Sequence, residues 1–249
     1  MMEQNIRDRQ IIDYINLIFD TFMELHGDRR SGDDRAVIGG LARVDGYEVA
    51  VIGYQMDESS EPFRVPGPAG YRKCLRLMKL VEIFSKPVIL FFDILSVPPL
   101  PASEQQRVDE AIARNLEEMS QMMTPIIGII MGEQSAVTAI GICAVDRVIM
   151  LEGVRPVESS ATGADTAPAR LKVKDLLDLD IVHRTLKVSS NGDLETDANA
   201  LREVILEELS QLSQVHPQEL AQRRLHRLQY EFLSSDVSRL AFGSSNSTT

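Results

Sequence analysis

The chain is poor in the features that define several large protein classes. It has two cysteines in 249 residues, Cys74 and Cys143. Both lie in apolar, helix-like surroundings, so they read as reduced core thiols and not as a disulfide framework. Its four histidines, His26, His183, His216 and His226, are scattered without the paired spacing of a metal site, so no metal is expected here. No apolar run approaches the ~20 residues of a membrane span. Basic residues are outnumbered, 26 against 37 acidic, for a formal net charge of -11. A nucleic-acid surface needs a basic face, so that class of partner is set aside. The opening MMEQNIRDRQ lacks a signal-peptide layout. What remains, at 44% hydrophobic and 25% charged residues, is an ordinary globular composition, read as cytoplasmic.

The most informative stretch is Pro125–Leu151, PIIGIIMGEQSAVTAIGICAVDRVIML. An unbroken apolar run, Ile126–Met131, reads as a buried strand, and Gly132-Glu133 as a turn. Small apolar residues from Ala136 to Ala144 read as a helix, and Arg147–Leu151 as a second strand. Strand, turn, helix and strand make a βαβ crossover, which implies a parallel sheet covered by helices. A turn between a strand's carboxyl end and a helix start gathers backbone N–H groups, where anions bind. Glu133, Gln134 and Ser135 are therefore the candidate reaction centre, acting through backbone N–H groups.

Around this unit the periodicity predicts a helix over 6–25 capped at Gly27, then a polar loop, DRRSGDDR. Two strand-like runs, Ala36–Val44 and Tyr47–Tyr54, meet at Asp45-Gly46, a strong hairpin signal. A proline-bearing loop over 56–70 leads to a helix over 71–84 and a buried strand, Pro87–Asp93. A third helix follows Pro98, Pro99 and Pro101, with Ser103-Glu104-Gln105-Gln106 as a capping box. Then come a helix at Arg170–Leu179, a strand at Ile181–Val188, and helices near 197–214 and 217–233 with Pro217 in a first turn. One domain is expected: an N-terminal helix over 1–27, a core over 36–188, C-terminal helices over 195–235 and a frayed tail over 242–249.

Taken in order, these residues resemble the α subunit of the carboxyltransferase component of bacterial and plastid acetyl-CoA carboxylase. The resemblance rests on DYINLIFDTFMELHGDRRSGDDRAVIGGLARVDGYEVAVIGYQ, PGPAGYRKCLRLMKLVEIFSKPVILFFD, EAIARNLEEM, the Gly132-Glu133 turn, DRVIML and LAQRRLHRLQYEF. It implies an α/β, crotonase-like (ClpP/crotonase) ββα superhelix with an N-terminal helix and C-terminal helices. It also implies a zinc-carrying β-like partner subunit in an α2β2 hetero-oligomer, with acyl-CoA or an acyl-carrier protein as substrate. The β side would bind the acyl thioester and the α side carboxybiotin, whose carboxylate moves to the acyl α-carbon. Both developing oxyanions would be held by backbone N–H groups. This chain itself would bind no cofactor, and in a eukaryote it would belong in the plastid stroma.

The chain departs from the family at three loops. Where the family runs glycine-rich after Gly132-Glu133, it has Gln134, Ser135, Ala136, Val137 and Thr138. The β-branched pair Val137-Thr138 adds bulk where backbone must approach substrate. A glycine-containing loop has become Asp93-Ile94-Leu95-Ser96, and a third is shortened around Pro156–Ser160. Val137, Thr138, Asp93, Ile94, Leu95 and Ser96 are thus expected to line the substrate site. The framework implies a retained fold, and the altered loops imply a lost biotin-carboxyl site. Two alternatives stand beside that reading: a conventional carboxyltransferase α subunit, and a free-standing crotonase-like thioester enzyme using Glu133 or Glu158 as base. Arg72 and Lys73 could contact phosphate or carboxylate but read first as a solvated helix face, and Gln222–Arg227 reads as a charged helix face also able to meet a partner. Glu133 reads first as a carboxylate at a helix N-terminus, and Asp93 as a turn cap.

Overall fold

The computed structural model describes residues 10–55, 65–93, 101–131, 134–135, 141–153, 170–171, 181–189 and 193–232. Its centre is a seven-stranded sheet in the order β1-β2-β3-β4-β5-β7-β9. The strands are β1 Thr21–Glu24, β2 Val37–Val44, β3 Tyr47–Gln55, β4 Val88–Asp93, β5 Ile126–Met131, β7 Arg147–Glu152 and β9 Arg184–Lys187. The first three pair antiparallel; β3, β4, β5, β7 and β9 run parallel. A separate two-stranded pair joins β6, Gln134–Ser135, to β8, Arg170–Leu171.

Strand alternation sorts the apolar residues into two layers. Val88, Leu90 and Phe92 face one way with Ala50, Ile52 and Tyr54, against Cys74, Leu77, Met78 and Met119. Those partners belong to α2, Pro68–Ile83, and α3, Ala102–Gln121. Ile89 and Phe91 face the other way with Val49, Val51 and Ile127, against α1, Ile11–Ile18, and α4, Leu194–Leu212. Burial on both faces explains why β4 and β5 read as unbroken apolar runs. The helix α5, Pro217–His226, continues into a π-helical turn, Arg227–Phe232.

The hairpin forms as expected: Val44 faces Tyr47, and Asp45 and Gly46 take φ of 46° and 81°, the left-handed pair of a type I′ turn. Pro217 does open its helix. The single helix over 6–25 does not form. Its apolar period carries α1 only to Ile18, and the chain then extends at Thr21–Glu24 to pair with β2. Gly27 takes φ +75° in the following loop instead of capping a helix. The capping box at Ser103 is also absent, because the cap position falls two residues earlier, at Pro101, with no side-chain cap bond. Arg170–Leu171, expected as helix, is strand. The structure has the parallel sheet of the βαβ unit and a helical turn at 141–143, with 134–135 forming β6; the expected turn at 132–133 and the expected helix over 136–140 lie outside the described residues.

Candidate functional site

The parallel strands deliver the chain to one edge of the sheet, where Gln55, Asp93, Met131 and Glu152 are the last residues of β3, β4, β5 and β7. Parallel sheets bind ligands outside these carboxyl ends. Asp93 stands in register with Gln55 and is 3% exposed, an acidic group carried to the edge by a wholly buried strand. Ile94, Leu95 and Ser96 follow it, and Glu133, Val137 and Thr138 follow β5; all six lie outside the described residues, as does Glu158. Gln134 and Ser135 are described as backbone, opposite Leu171 and Arg170. That juxtaposition brings Arg170–Leu171 beside the candidate oxyanion turn. Only the pairing reveals it, since the two segments are distant in sequence.

Beneath the edge the packing is aromatic and tight. Tyr54 and Phe92, neighbours on β3 and β4, stack with ring centres 5.4 Å apart, and Tyr71 of α2 lies 5.8 Å from Tyr54. A Cβ on Gly141 would meet the Phe92 ring at 3.5 Å, so the helical turn after the crossover rests on the same floor. Cys74 is buried beside Tyr54, and burial pushes its thiol up to about 12. Neither it nor the buried Cys143 forms a disulfide, and a thiol held that high is not poised as a nucleophile at Cys74.

The entry to α2 is fixed by three aspartates of the DRRSGDDR loop. Asp34 accepts the N–H groups of Gly67 at 2.8 Å, Gly70 at 3.2 Å and Ala36 at 3.0 Å. Asp28 accepts from the N–H groups of Ser31, Gly32 and Arg30 and from the Arg72 guanidinium at 2.7 Å. Burial alone would raise the Asp28 pKa, but those donors outweigh it and hold the carboxyl far below the usual range. Asp33 takes Lys73 Nζ at 3.0 Å and the Gly27 N–H at 2.7 Å. Burial again opposes, yet the Gly27 N–H, Lys73 and His26 bring Asp33 down to about 2. Lys73 is 1% exposed and also donates to the Val37 carbonyl at 2.8 Å. Arg72 and Lys73 are thus structural cations, not the solvated helix face their spacing suggests.

The arginine-rich end of the chain needs the same correction. Arg224 is 1% exposed, pairs with Asp146 at 2.5 Å, and also donates to the Met122 and Thr124 carbonyls. Arg227 donates to the Val145 carbonyl at 2.6 Å. Asp146 in turn accepts the Ile126 N–H at 2.7 Å, tying α5 to the start of β5. Burial pushes the Asp146 carboxyl up, and the Arg224 charge opposes it. Glu208 of α4 similarly receives Arg147 at 3.0 Å and Arg184 at 3.1 Å, joining β7 and β9. Among the described residues no cluster of three or more His, Cys, Asp or Glu could hold a metal ion, and no helix is long and apolar enough to cross a membrane.

The family model of acetyl co-enzyme A carboxylase carboxyltransferase-like proteins matches residues 4–231. The chain belongs to this family. The acetyl-coenzyme A carboxylase carboxyl transferase subunit alpha of Staphylococcus epidermidis is 37% identical over 237 residues, covering 87% of this chain and 76% of that protein. The subunit of the same name from Halorhodospira halophila is 39% identical over 239 residues, covering 88% and 75%. Among solved structures, a Pseudomonas malonate decarboxylase hetero-tetramer in complex with coenzyme A superposes with a TM-score of 0.60 at 17% identity, over 86% of this chain and 91% of that one. At that identity the match speaks for the fold alone, and the fold is the crotonase-like α/β fold of the carboxyltransferases.

Proposed function

We propose that the chain is a carboxyltransferase α-like subunit that pairs with a β-like subunit in the cytoplasm and supports a reaction on an acyl thioester there, its carboxybiotin half-site lost. Family membership along 4–231 supports the subunit reading; the loss of the half-site is argued from 94–96 and 134–138, which follow β4 and β5 and hold no glycine where the resemblance implies glycine-bearing loops. In this reading the backbone N–H groups of Glu133, Gln134 and Ser135 face a developing oxyanion. Asp93, Ile94, Leu95, Ser96, Val137 and Thr138 shape the space beside it. The β-branched pair narrows the room a ureido ring and its carboxylate would need. The zinc of this family belongs on the β-like partner, and the acyl group arrives on coenzyme A or a carrier protein.

A second reading is favoured by a specific observation: identities of 37% and 39% to subunits named for conventional acetyl-CoA carboxylation. Backbone N–H groups persist whatever side chains follow them, so Gln134–Thr138 could form an oxyanion hole with unusual side chains. Co-purification with the β-like subunit, followed by carboxylation and malonyl-thioester decarboxylation assays, separates the two. Carboxylation above the level of the β-like subunit alone selects the conventional reading; a stable complex without it selects the first. Thioester turnover by the lone chain, abolished by Glu133→Gln or Glu158→Gln, would instead select a free-standing enzyme.

A further inference from the structure

A concave cleft of about 510 Å³ opens between α2 and α3, lined by Arg30, Arg72, Arg107 and Arg114 around Pro68, Ala69, Leu75 and Asn115. Four arginines line it on a protein whose net charge is -11, a local excess of positive charge against the sign of the whole molecule. Glu110 is the acidic side chain in the wall. Counting Glu110 and the Asp28 that holds Arg72, the cleft keeps a surplus of two positive charges.

The arginines are arranged in two ways. Arg72 is fixed, its guanidinium held by Asp28 and by the Ser31 hydroxyl at 2.8 Å, while still forming part of the wall. Arg30, Arg107 and Arg114 are exposed, and among the described residues their side chains form no ion pair or hydrogen bond. Glu110 stands three residues after Arg107 and four before Arg114, spacings at which helical ion pairs form, yet neither pair is made. Asn115, 4% exposed, donates its amide nitrogen to the Tyr71 carbonyl of α2 at 2.9 Å, tying the two helices behind the arginines, and to the Ala111 carbonyl of its own helix at 2.8 Å.

We propose that this cleft binds a phosphate-bearing small molecule through Arg30, Arg107 and Arg114, with Arg72 as a preset fourth donor. Guanidinium forks match phosphate oxygens two at a time. The concavity and volume suit a small ligand, within the roughly 300–1,000 Å³ usual for such sites. A flat protein partner would not fill it. The proposal does not rest on whether carboxylation is retained.

The experiment is isothermal titration of the purified full chain with inorganic pyrophosphate and with ADP, in about 0.15 M salt, where long-range surface charge is screened. Saturable binding is expected, weakened about tenfold by Arg107→Ala and by Arg114→Ala, and partly kept by the lysine substitutions, since a charge-assisted hydrogen bond carries an effect of that size. Arg223→Ala, on the exposed face of α5, should leave binding unchanged. Tighter binding of ADP than of pyrophosphate would identify a nucleotide, and equal binding the phosphate groups themselves; either supports the site. Both arginines are exposed and unpaired among the described residues, so thermal melting of the variants should match the wild type. Binding that is absent, or indifferent to both substitutions, overturns the proposal. So does loss of the β-like partner from the variants with pyrophosphate binding intact, which would make the cleft a protein contact.

Discussion

Arg224 shows how far a single side chain can differ from its local sequence. It sits in a run of polar and basic residues, yet it is buried against Asp146, and removing it leaves a carboxylate stranded in the interior. Arg224→Ala should therefore cost about 3–5 kcal/mol in chemical denaturation. Asp33 makes a pH-dependent prediction. Its folded pKa, about 2, lies below the unfolded value near 4. The unfolded chain then binds more protons as pH falls between those values, so stability present above about pH 4 is lost toward pH 2. Asp33→Asn should flatten that part of the stability profile, measured from denaturant midpoints at stepped pH. Cys74, with its thiol raised to about 12, should resist a thiol reagent at pH 8 until the protein unfolds; rapid labelling of the native chain would contradict its burial. The burial of Cys74 was legible from its apolar surroundings, but the charged environments were not. Lys73 and Arg224 find their carboxylates tens of residues away, and a helical wheel cannot show which charge turns inward.

At the scale of elements, legibility followed the strength of the local pattern. The apolar runs of β4 and β5 and the Asp45-Gly46 turn could be read directly, because burial on both faces and positive φ each demand particular residues. The segment Phe19–Leu25 could not. Phe19, Phe22 and Leu25 keep a helical period, but β1 is a short edge strand whose pairing with β2 overrides it. Gly40 records that pairing in its own way: a Cβ there would lie 2.2 Å from the Met23 carbonyl oxygen, a backbone atom that cannot step aside. Gly40→Ala should separate β1 from β2 and lower the melting temperature, whereas Gly39→Ala meets the movable end of Leu77 and should be milder. Equal effects of the two substitutions would argue against the edge strand. The short β6–β8 pair was equally hidden, since two residues on each side carry no period to read.

For the whole molecule, the three-layer architecture and its family were legible because many dispersed segments agreed, and the comparisons bear both out. What was legible near the candidate site is where the strands end. Asp93 does arrive buried at the carboxyl edge, while most of the residues named beside it fall outside the described structure. The central claim is that the subunit interface persists while the biotin-carboxyl half-site does not. The most direct test is to co-express the chain with its β-like subunit, measure the mass of the purified complex, and assay biotin-dependent carboxylation of an acyl thioester on the same sample. A stable mixed complex that fails to carboxylate above the β-like subunit alone is the predicted result. A complex that carboxylates would show that Gln134–Thr138 still serves the biotin reaction, and a chain that stays apart from the β-like subunit would remove the partnership itself.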